Sequence, residues 1–344
     1  MKIVDLRSDT VTVPTPAMRA AMATAEVGDD VMGEDPSVNR LQEVAAERMG
    51  KEAGLFVPSG TMGNLAAILA HCGRGDEVII GDLSHTFLFE GGGVAALGGV
   101  MPHTLPNLPD GRLDPGAIRN AIRPDDVHQP VSRLLVLENT HNRCGGTVLD
   151  AAYFEQVHEI TQAARLKLHI DGARIFNAAV ALGVPAKTLV ATADSVTFCL
   201  SKALCAPVGS VLCGSTEFIR TARRIRKQLG GGMRQAGILA AAGLVALDEM
   251  VDRLAEDHRR ARLLAAGLEK IPGILVETKV PASNMVFISL EEKIGLSGVQ
   301  VCGRLAEAGV KVGTVGARRF RLVTHYWIDD EGVEQTLDAF RKIL

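Results

Sequence analysis

Residues 195–211 read SVTFCLSKALCAPVGSV. The segment Val196–Leu200 is apolar at successive positions, as a strand covered by helices on both faces of a sheet must be. A single lysine, Lys202, stands at its end, followed by small and apolar residues. A strand-end lysine can run its stem along apolar surface and put its charge in water. It can also be held at a cleft for its amine. The ends of the other strands decide between these readings.

Working outward, runs rich in Val, Ile and Leu recur at Leu55–Val57, Glu77–Ile80, Leu134–Leu137, Lys167–Ile170 and Ser210–Cys213. None alternates cleanly, and helical segments separate them. This pattern predicts an α/β fold with a mostly parallel sheet covered on both sides. In TPAMRAAMATA, Thr15 is a helix N-cap and Pro16 the first helical residue. PSVNRLQEVAAERMG keeps Val38, Leu41, Val44, Ala45 and Met49 on one stripe and stops at Gly50, a C-cap. After an apolar helix at Gly237–Leu247 the texture changes. A long charged amphipathic helix (Glu249–Ile271), strands NMVFISL and FRLVTH, and helices Val299–Ala308 and Glu331–Ile343 describe a smaller α+β unit. The expected division is 1–250 and 251–344.

The 344 residues are 47% hydrophobic, enough for a large core. A net charge of −3, two tyrosines and one tryptophan argue against a nucleic-acid partner. Six cysteines without a CxxC read as reduced thiols of a cytoplasmic protein. The opening MKIVDLRSDT meets charges before any apolar stretch of signal-peptide length. GILAAAGLVAL is too short to span a bilayer, so no membrane partner is expected.

In α/β sheets, ligands bind beyond the carboxyl ends of the strands. After Leu55–Val57, Ser59, Gly60 and Thr61 open an apolar helix whose first N–H groups suit a phosphate, or simply make a capped turn. After Lys167–Ile170 comes DGAR. Asp171 and Arg174 are either a capping pair or a carboxylate for a cationic group beside an arginine for an anion. After Val196–Leu200 comes Lys202. Neither GxxxxGK[ST] nor a well-placed GxGxxG occurs, which removes the usual support for ATP or NAD. A phosphate cradle, a carboxylate and a lysine are together what pyridoxal 5'-phosphate requires. The acid keeps the ring nitrogen protonated, and the lysine forms a Schiff base.

The motifs DLRSDTVT, EVGDDVMGEDP, FVPSGTMGN, LENTHNRCGG, HIDGARIFNA, FCLSKALCAPVGS, RKQLGGGMRQAGILAAAG and RLVTH run from Asp5 to His325. In this order they resemble the low-specificity L-threonine (L-allo-threonine) aldolases, pyridoxal-phosphate enzymes of fold type I, the aspartate-aminotransferase-like class. The resemblance implies retro-aldol cleavage of L-threonine, L-allo-threonine and other β-hydroxy-α-amino acids to glycine and an aldehyde. β-Elimination, racemisation and transamination are the alternatives on the same scaffold.

It also implies roles. Lys202 would carry the Schiff base, Asp171 face the pyridine nitrogen, and His85 stack on the ring. Ser59, Gly60 and Thr61 would hold the phosphate, Lys227 reach a neighbouring subunit's phosphate, and Arg234 support that contact. Ser8, Arg174 and Arg321 would grip the substrate carboxylate, with Arg174 also beside the cofactor. His128 would lie near the substrate hydroxyl. His85, His128 and a bound water are the candidate bases. The expected assembly is a homodimer or homotetramer with shared active sites.

Plainer readings stand beside these: a core histidine for His85, a solvated helix face for Lys227, an edge-strand charge for Arg321, a turn for Ser8–Asp9. His141 and Cys144 in HNRC are metal-ligand types without partners, so no metal is expected. Met32 and Ala203 depart from the tyrosine and glycine that many relatives of this family carry.

Overall fold

A computed structural model describes residues 3–344. Met1 and Lys2, at the head of the range expected for the larger unit, lie outside them. In chain order the strands are β1 (Val4–Asp5), β2 (Ala53–Val57), β3 (Glu77–Gly81), β4 (Met101–Leu105), β5 (Ser132–Glu138), β6 (Lys167–Asp171), β7 (Ser195–Cys199), β8 (Ser210–Gly214), β9 (Ile274–Val276), β10 (Met285–Leu290), β11 (Val310–Lys311), β12 (Gly313–Thr314) and β13 (Arg319–Val323).

Seven strands form the central sheet in the order β2-β8-β7-β6-β5-β3-β4. Neighbours from β7 to β4 run parallel, while β8 is antiparallel to both β2 and β7. Successive residues feed opposite cores. Leu135 and Leu137 enter a large cluster with the helices Pro36–Met49, Ala151–Ala163 and Gly237–Glu249. Leu134 and Val136 pack on the other side with Ile68 of the helix Gly60–His71. Burial on both faces is why these strands read as unbroken apolar runs.

A second sheet, β12-β13-β10-β9, is antiparallel throughout and has its own core. That core also takes Val4 and Leu6 from the chain's start, because β1 pairs in parallel with β11. From there the segment crosses toward the central sheet.

Sequence and structure part in several places. β4 carries Pro102 and half-exposed residues, as an edge strand tolerates, and so lacks the apolar signature. β9 and β12 are too short to show a period. The charged helix expected from Glu249 begins at Leu254, after a turn that ends the Gly237–Glu249 helix. Thr15 and Gly50 cap as expected, Gly50 with φ +61°. All six cysteines are unpaired, five of them buried. Among the described residues no helix is long and apolar enough to cross a membrane.

One residue ties three segments together. Asp35 caps the Pro36–Met49 helix through Oδ1, which accepts from Val38 N at 3.0 Å. Its Oδ2 accepts from Gly28 N (3.2 Å) and from Gly237 N (2.8 Å). Asp35→Ala removes a cap and leaves two interior N–H groups without acceptors. The expected loss is roughly 2–4 kcal/mol, read from the urea midpoint at fixed protein concentration. Asp35→Asn, which retains one acceptor oxygen, should fall between.

Candidate active site

A cavity of about 340 Å³ opens at the carboxyl ends of the central strands. It gathers Ser59, Gly60, Thr61, Asn64, His85, Glu90, Asp171 and Lys202. A larger groove of about 1060 Å³ lies elsewhere, along Val44, Phe176, Val184 and Leu244 with a mixed-charge rim. Its lining carries Lys187 with Glu47, Asp248 and Asp252 but no histidine, serine, threonine or cysteine, and it is drawn from helices and their connections rather than strand ends, so the smaller cavity is the candidate site.

Ser59 is the N-cap of the twelve-residue helix Gly60–His71, and its Oγ accepts from Met62 N at 3.1 Å. The N–H groups of Gly60 and Thr61, at the first helical positions, have no intrahelical acceptor and are available to an anion. Glycine lets this helix sit close to β7. A Cβ on Gly60 would lie 3.0 Å from Cys199 Sγ, and one on Gly63 would lie 2.6 Å from Thr197 Cγ2.

Asp171 ends β6 and is buried. Its Oδ1 accepts from Ala173 N at 3.1 Å. Its Oδ2 accepts from Asn64 Nδ2 at 2.9 Å and Thr86 Oγ1 at 3.2 Å. Lys202 sits in the reversal between β7 and β8. Its carbonyl accepts from Thr12 Oγ1 (2.8 Å) and Cys205 N (2.9 Å), so the chain's start helps to hold the lysine's backbone. The reversal depends on Gly209 at φ +101°, where a Cβ would lie 2.4 Å from the Phe56 ring. Ala203 is accommodated as a buried residue.

His85 donates its backbone N–H to Glu138 Oε2 at 2.6 Å, and its Nδ1 lies 3.0 Å from Glu90 Oε1. The hydrogen bond to Glu90 raises its proton affinity above that of a free imidazole; burial opposes this and the charge of Asp171 adds to it.

Arg174 begins the helix after β6 and is buried. Its Nε and Nη2 each donate to Asp9 at 2.7 Å, a two-pronged pair between a wholly buried carboxylate and guanidinium. Burial alone would push the Asp9 carboxyl up. The charge and hydrogen bonds of Arg174 outweigh it, with Lys202 and Arg321 adding, and hold it well below the usual range. Arg321, on β13, donates through Nη1 to Asn142 Oδ1 at 2.5 Å and through Nη2 to the Arg7 carbonyl at 3.3 Å. Its Nε is buried without a partner among the described residues. Burial and the neighbouring Arg174 bring its pKa down to about 10. Two cations thus flank Asp9, and Arg321 has the spare donor.

Neither Arg174 nor Arg321 lines the cavity itself, and other sequence-derived residues also stand outside it in a single chain. Ser8 caps a short turn, its Oγ accepting from Thr10 N at 3.2 Å. His128 is on an exposed loop with Nδ1 2.8 Å from Asp126 Oδ1. Lys227 lines a separate cavity of about 270 Å³ with Val31, Arg220, Arg223 and Gly232. Arg234 pairs with Asp29 Oδ2 at 2.8 Å. Met32 is 70% exposed and lines neither cavity. His141 Nδ1 accepts from the Cys144 backbone N–H, a turn contact. Sequence reading missed Asn64, Thr86 and Glu90 altogether. It named Asp9 only in the alternative of a Ser8–Asp9 turn and gave it no role at the site.

Asp9→Asn leaves a buried guanidinium without its counter-charge, a loss of roughly 3–5 kcal/mol at pH 7. The native Asp9 carboxyl lies below its unfolded value of about 3.9. Its contribution is therefore complete above that pH and fades as pH falls through the folded value. Denaturation curves of the two proteins should converge below about pH 4; a gap that widens there contradicts the pairing.

The Beta-eliminating lyase family model matches residues 5–291. The chain is 52% identical to the probable low-specificity L-threonine aldolase 2 of Arabidopsis thaliana, over 100% of this chain and 98% of that protein. It is 45% identical to the low specificity L-threonine aldolase of Escherichia coli (strain K12), over 99% of both. A solved Leishmania major threonine aldolase superposes with a TM-score of 0.84 over 99% of each chain at 23% identity, a likeness of fold. The architecture is that of the fold-type-I pyridoxal-phosphate enzymes, and the chain belongs to the low-specificity L-threonine aldolase family within the beta-eliminating lyases.

Proposed function

We propose that this chain cleaves L-threonine, L-allo-threonine and related β-hydroxy-α-amino acids to glycine and an aldehyde, with pyridoxal 5'-phosphate as cofactor. The observation that carries the reading is the meeting of Lys202, Asp171, His85 and the Ser59–Thr61 helix start in one cavity. The donor set fits the cofactor. A helix start offers free N–H groups to a phosphate. A buried carboxylate is fixed by three donors. An amine lies in the same cavity.

Ser59, Gly60 and Thr61 would hold the phosphate, Asp171 the ring nitrogen, Lys202 the aldehyde carbon and His85 the ring face. When bound, the cofactor supplies an electron sink for the bond broken at the substrate's α carbon.

The chain's own groups do the rest. Arg321 binds the substrate carboxylate through its guanidinium. Arg174 and Asp9 stand behind it and fix the local charge. Anchoring the carboxylate sets the rotation that aligns the Cα–Cβ bond. His85 takes the β-hydroxyl proton, since an imidazole titrates near working pH. His128 is the second candidate. Its exposed loop, together with the separate position of Lys227 and Arg234, supports a homodimer or homotetramer in which these residues serve a neighbour's site. We place the protein in the cytoplasm, where its unpaired thiols stay reduced. We divide the chain at 250, a reading supported by the turn before Leu254.

β-Elimination is the second reading, favoured by the family model's description. Products separate the two. Incubating the cofactor-loaded protein with each of the four threonine stereoisomers should give glycine and acetaldehyde from the L-isomers. Ammonia plus a keto acid, or no glycine from either L-isomer, refutes the aldolase reading.

Lys202→Ala should lose both turnover and the absorbance at about 400–430 nm that lysine-bound cofactor gives. Lys227→Ala should weaken cofactor affinity by about ten-fold, the size of one exposed charge-assisted contact. Unchanged affinity would return Lys227 to a solvated helix face.

A further inference from the structure

We propose that Glu90 is the positioning residue of the site: it fixes the proton of His85 on Nδ1, leaves Nε2 as the open base, and is itself locked by the amide of Asn64.

The polarity of the contacts is forced from behind. Asn64 Nδ2 lies 2.9 Å from Glu90 Oε1 and 2.9 Å from Asp171 Oδ2. Two carboxylate oxygens there demand the NH₂ end, so the Asn64 Oδ1 end must face away, 3.2 Å from His169 Nε2. His169 is wholly buried, and desolvation drives its pKa to about 3, so it is neutral with a single N–H. That N–H must be on Nε2 to satisfy Asn64. Nδ1 of His169 then accepts from Ser195 Oγ at 2.9 Å, and Ser195 Oγ in turn accepts from His71 Nε2 at 2.8 Å. Burial also keeps His71 neutral. The chain His71–Ser195–His169–Asn64 therefore has one direction, and Asn64 cannot flip.

Glu90 Oε1 thus accepts an N–H from Asn64 while lying 3.0 Å from His85 Nδ1. Burial raises the proton affinity of Glu90, and the contacts to His85 and Asn64 work against that. As a carboxylate its oxygens can only accept, so the imidazole is the donor and the proton sits on Nδ1. Nε2 makes no hydrogen bond among the described residues and keeps its lone pair. The groups facing His85 are Glu90 from its own segment, Asp171 from β6, Glu138 of β5 at its backbone N–H, and Lys202 from the β7–β8 reversal. Glu90 and then Asp171 raise its proton affinity; burial and Lys202 lower it. When the β-hydroxyl oxygen gives its proton to Nε2, the imidazolium formed has the Glu90 carboxylate against its other nitrogen. An orienting carboxylate acts on a catalytic histidine in the same way in serine hydrolases.

The step rests on the reading of His85 as the base, and two measurements separate the two ideas. The first is deuterium exchange at histidine C2, followed by mass spectrometry of the cofactor-loaded protein across pH 5–9 (roughly the range in which histidine titrates). In Glu90→Gln the midpoint for His85 should fall by about one unit or more, as expected for loss of an adjacent opposite charge. The near-isosteric amide keeps the fold, checked by an unchanged midpoint for His141.

The second is the pH profile of kcat/KM with L-allo-threonine. Its acid limb should move to lower pH by the same amount, with kcat near pH 8 reduced about ten-fold. On a His85→Asn background Glu90→Gln should add less than about two-fold, because the pair acts as one unit. An unmoved His85 midpoint overturns the proposal. A moved midpoint with an unmoved acid limb supports the Glu90–His85 contact and overturns His85 as the base.

Discussion

The buried pair between Asp9 and Arg174 is the contact on which the rest of the site depends. One partner comes from the first ten residues, the other from the helix start after β6. The pair draws the amino-terminal segment across from the smaller core, where β1 and β11 form a two-stranded sheet of their own, to the end of the central sheet. On the way, Thr12 reaches the Lys202 carbonyl and Arg7 offers its carbonyl to Arg321. Without the ion pair, three charges of the site would lose their common reference. A buried pair adds little net stability over apolar packing, but breaking one half is costly. That asymmetry makes it a rigid anchor.

Around this anchor the charges are ordered in layers. The helix start at Ser59 presents N–H groups, the end of β6 presents a carboxylate, and the β7–β8 reversal presents an amine. The three lie on adjacent parts of one sheet because register fixes them. Glu138, Asp171 and Thr197 are laterally paired across β5, β6 and β7. Chemistry that needs three groups around one ring is thus set by strand pairing, with loops contributing only the final reach.

The same arrangement explains what could be read in the sequence. The central strands are visible because both faces are buried, and Lys202, Asp171 and Ser59–Thr61 are visible because each breaks an apolar run at a strand end. Asn64 and Glu90 lack that contrast. Asn64 lies inside an apolar helix and meets Asp171 107 positions away. Glu90 lies among glycines in FEGGG and reads as loop. Asp9 meets Arg174 165 positions on, a separation at which no local period carries information. β4, β9 and β12 fail for the opposite reason, being exposed or too short for any apolar rhythm. Even the resemblance to a known family assigned roles toward the ligands and, Arg234 apart, left out the residues that hold those groups in place.

Arg321 stands on the four-stranded sheet, while the phosphate cradle, the carboxylate and the lysine stand on the seven-stranded one. On the proposed assignment the grip on an incoming amino acid and the seat of the cofactor are therefore carried by different sheets, joined where Arg321 donates to Asn142 in the loop after β5. On that assignment, substitutions beneath β10 and β13 bear on which amino acids are gripped more than on how the cofactor is seated.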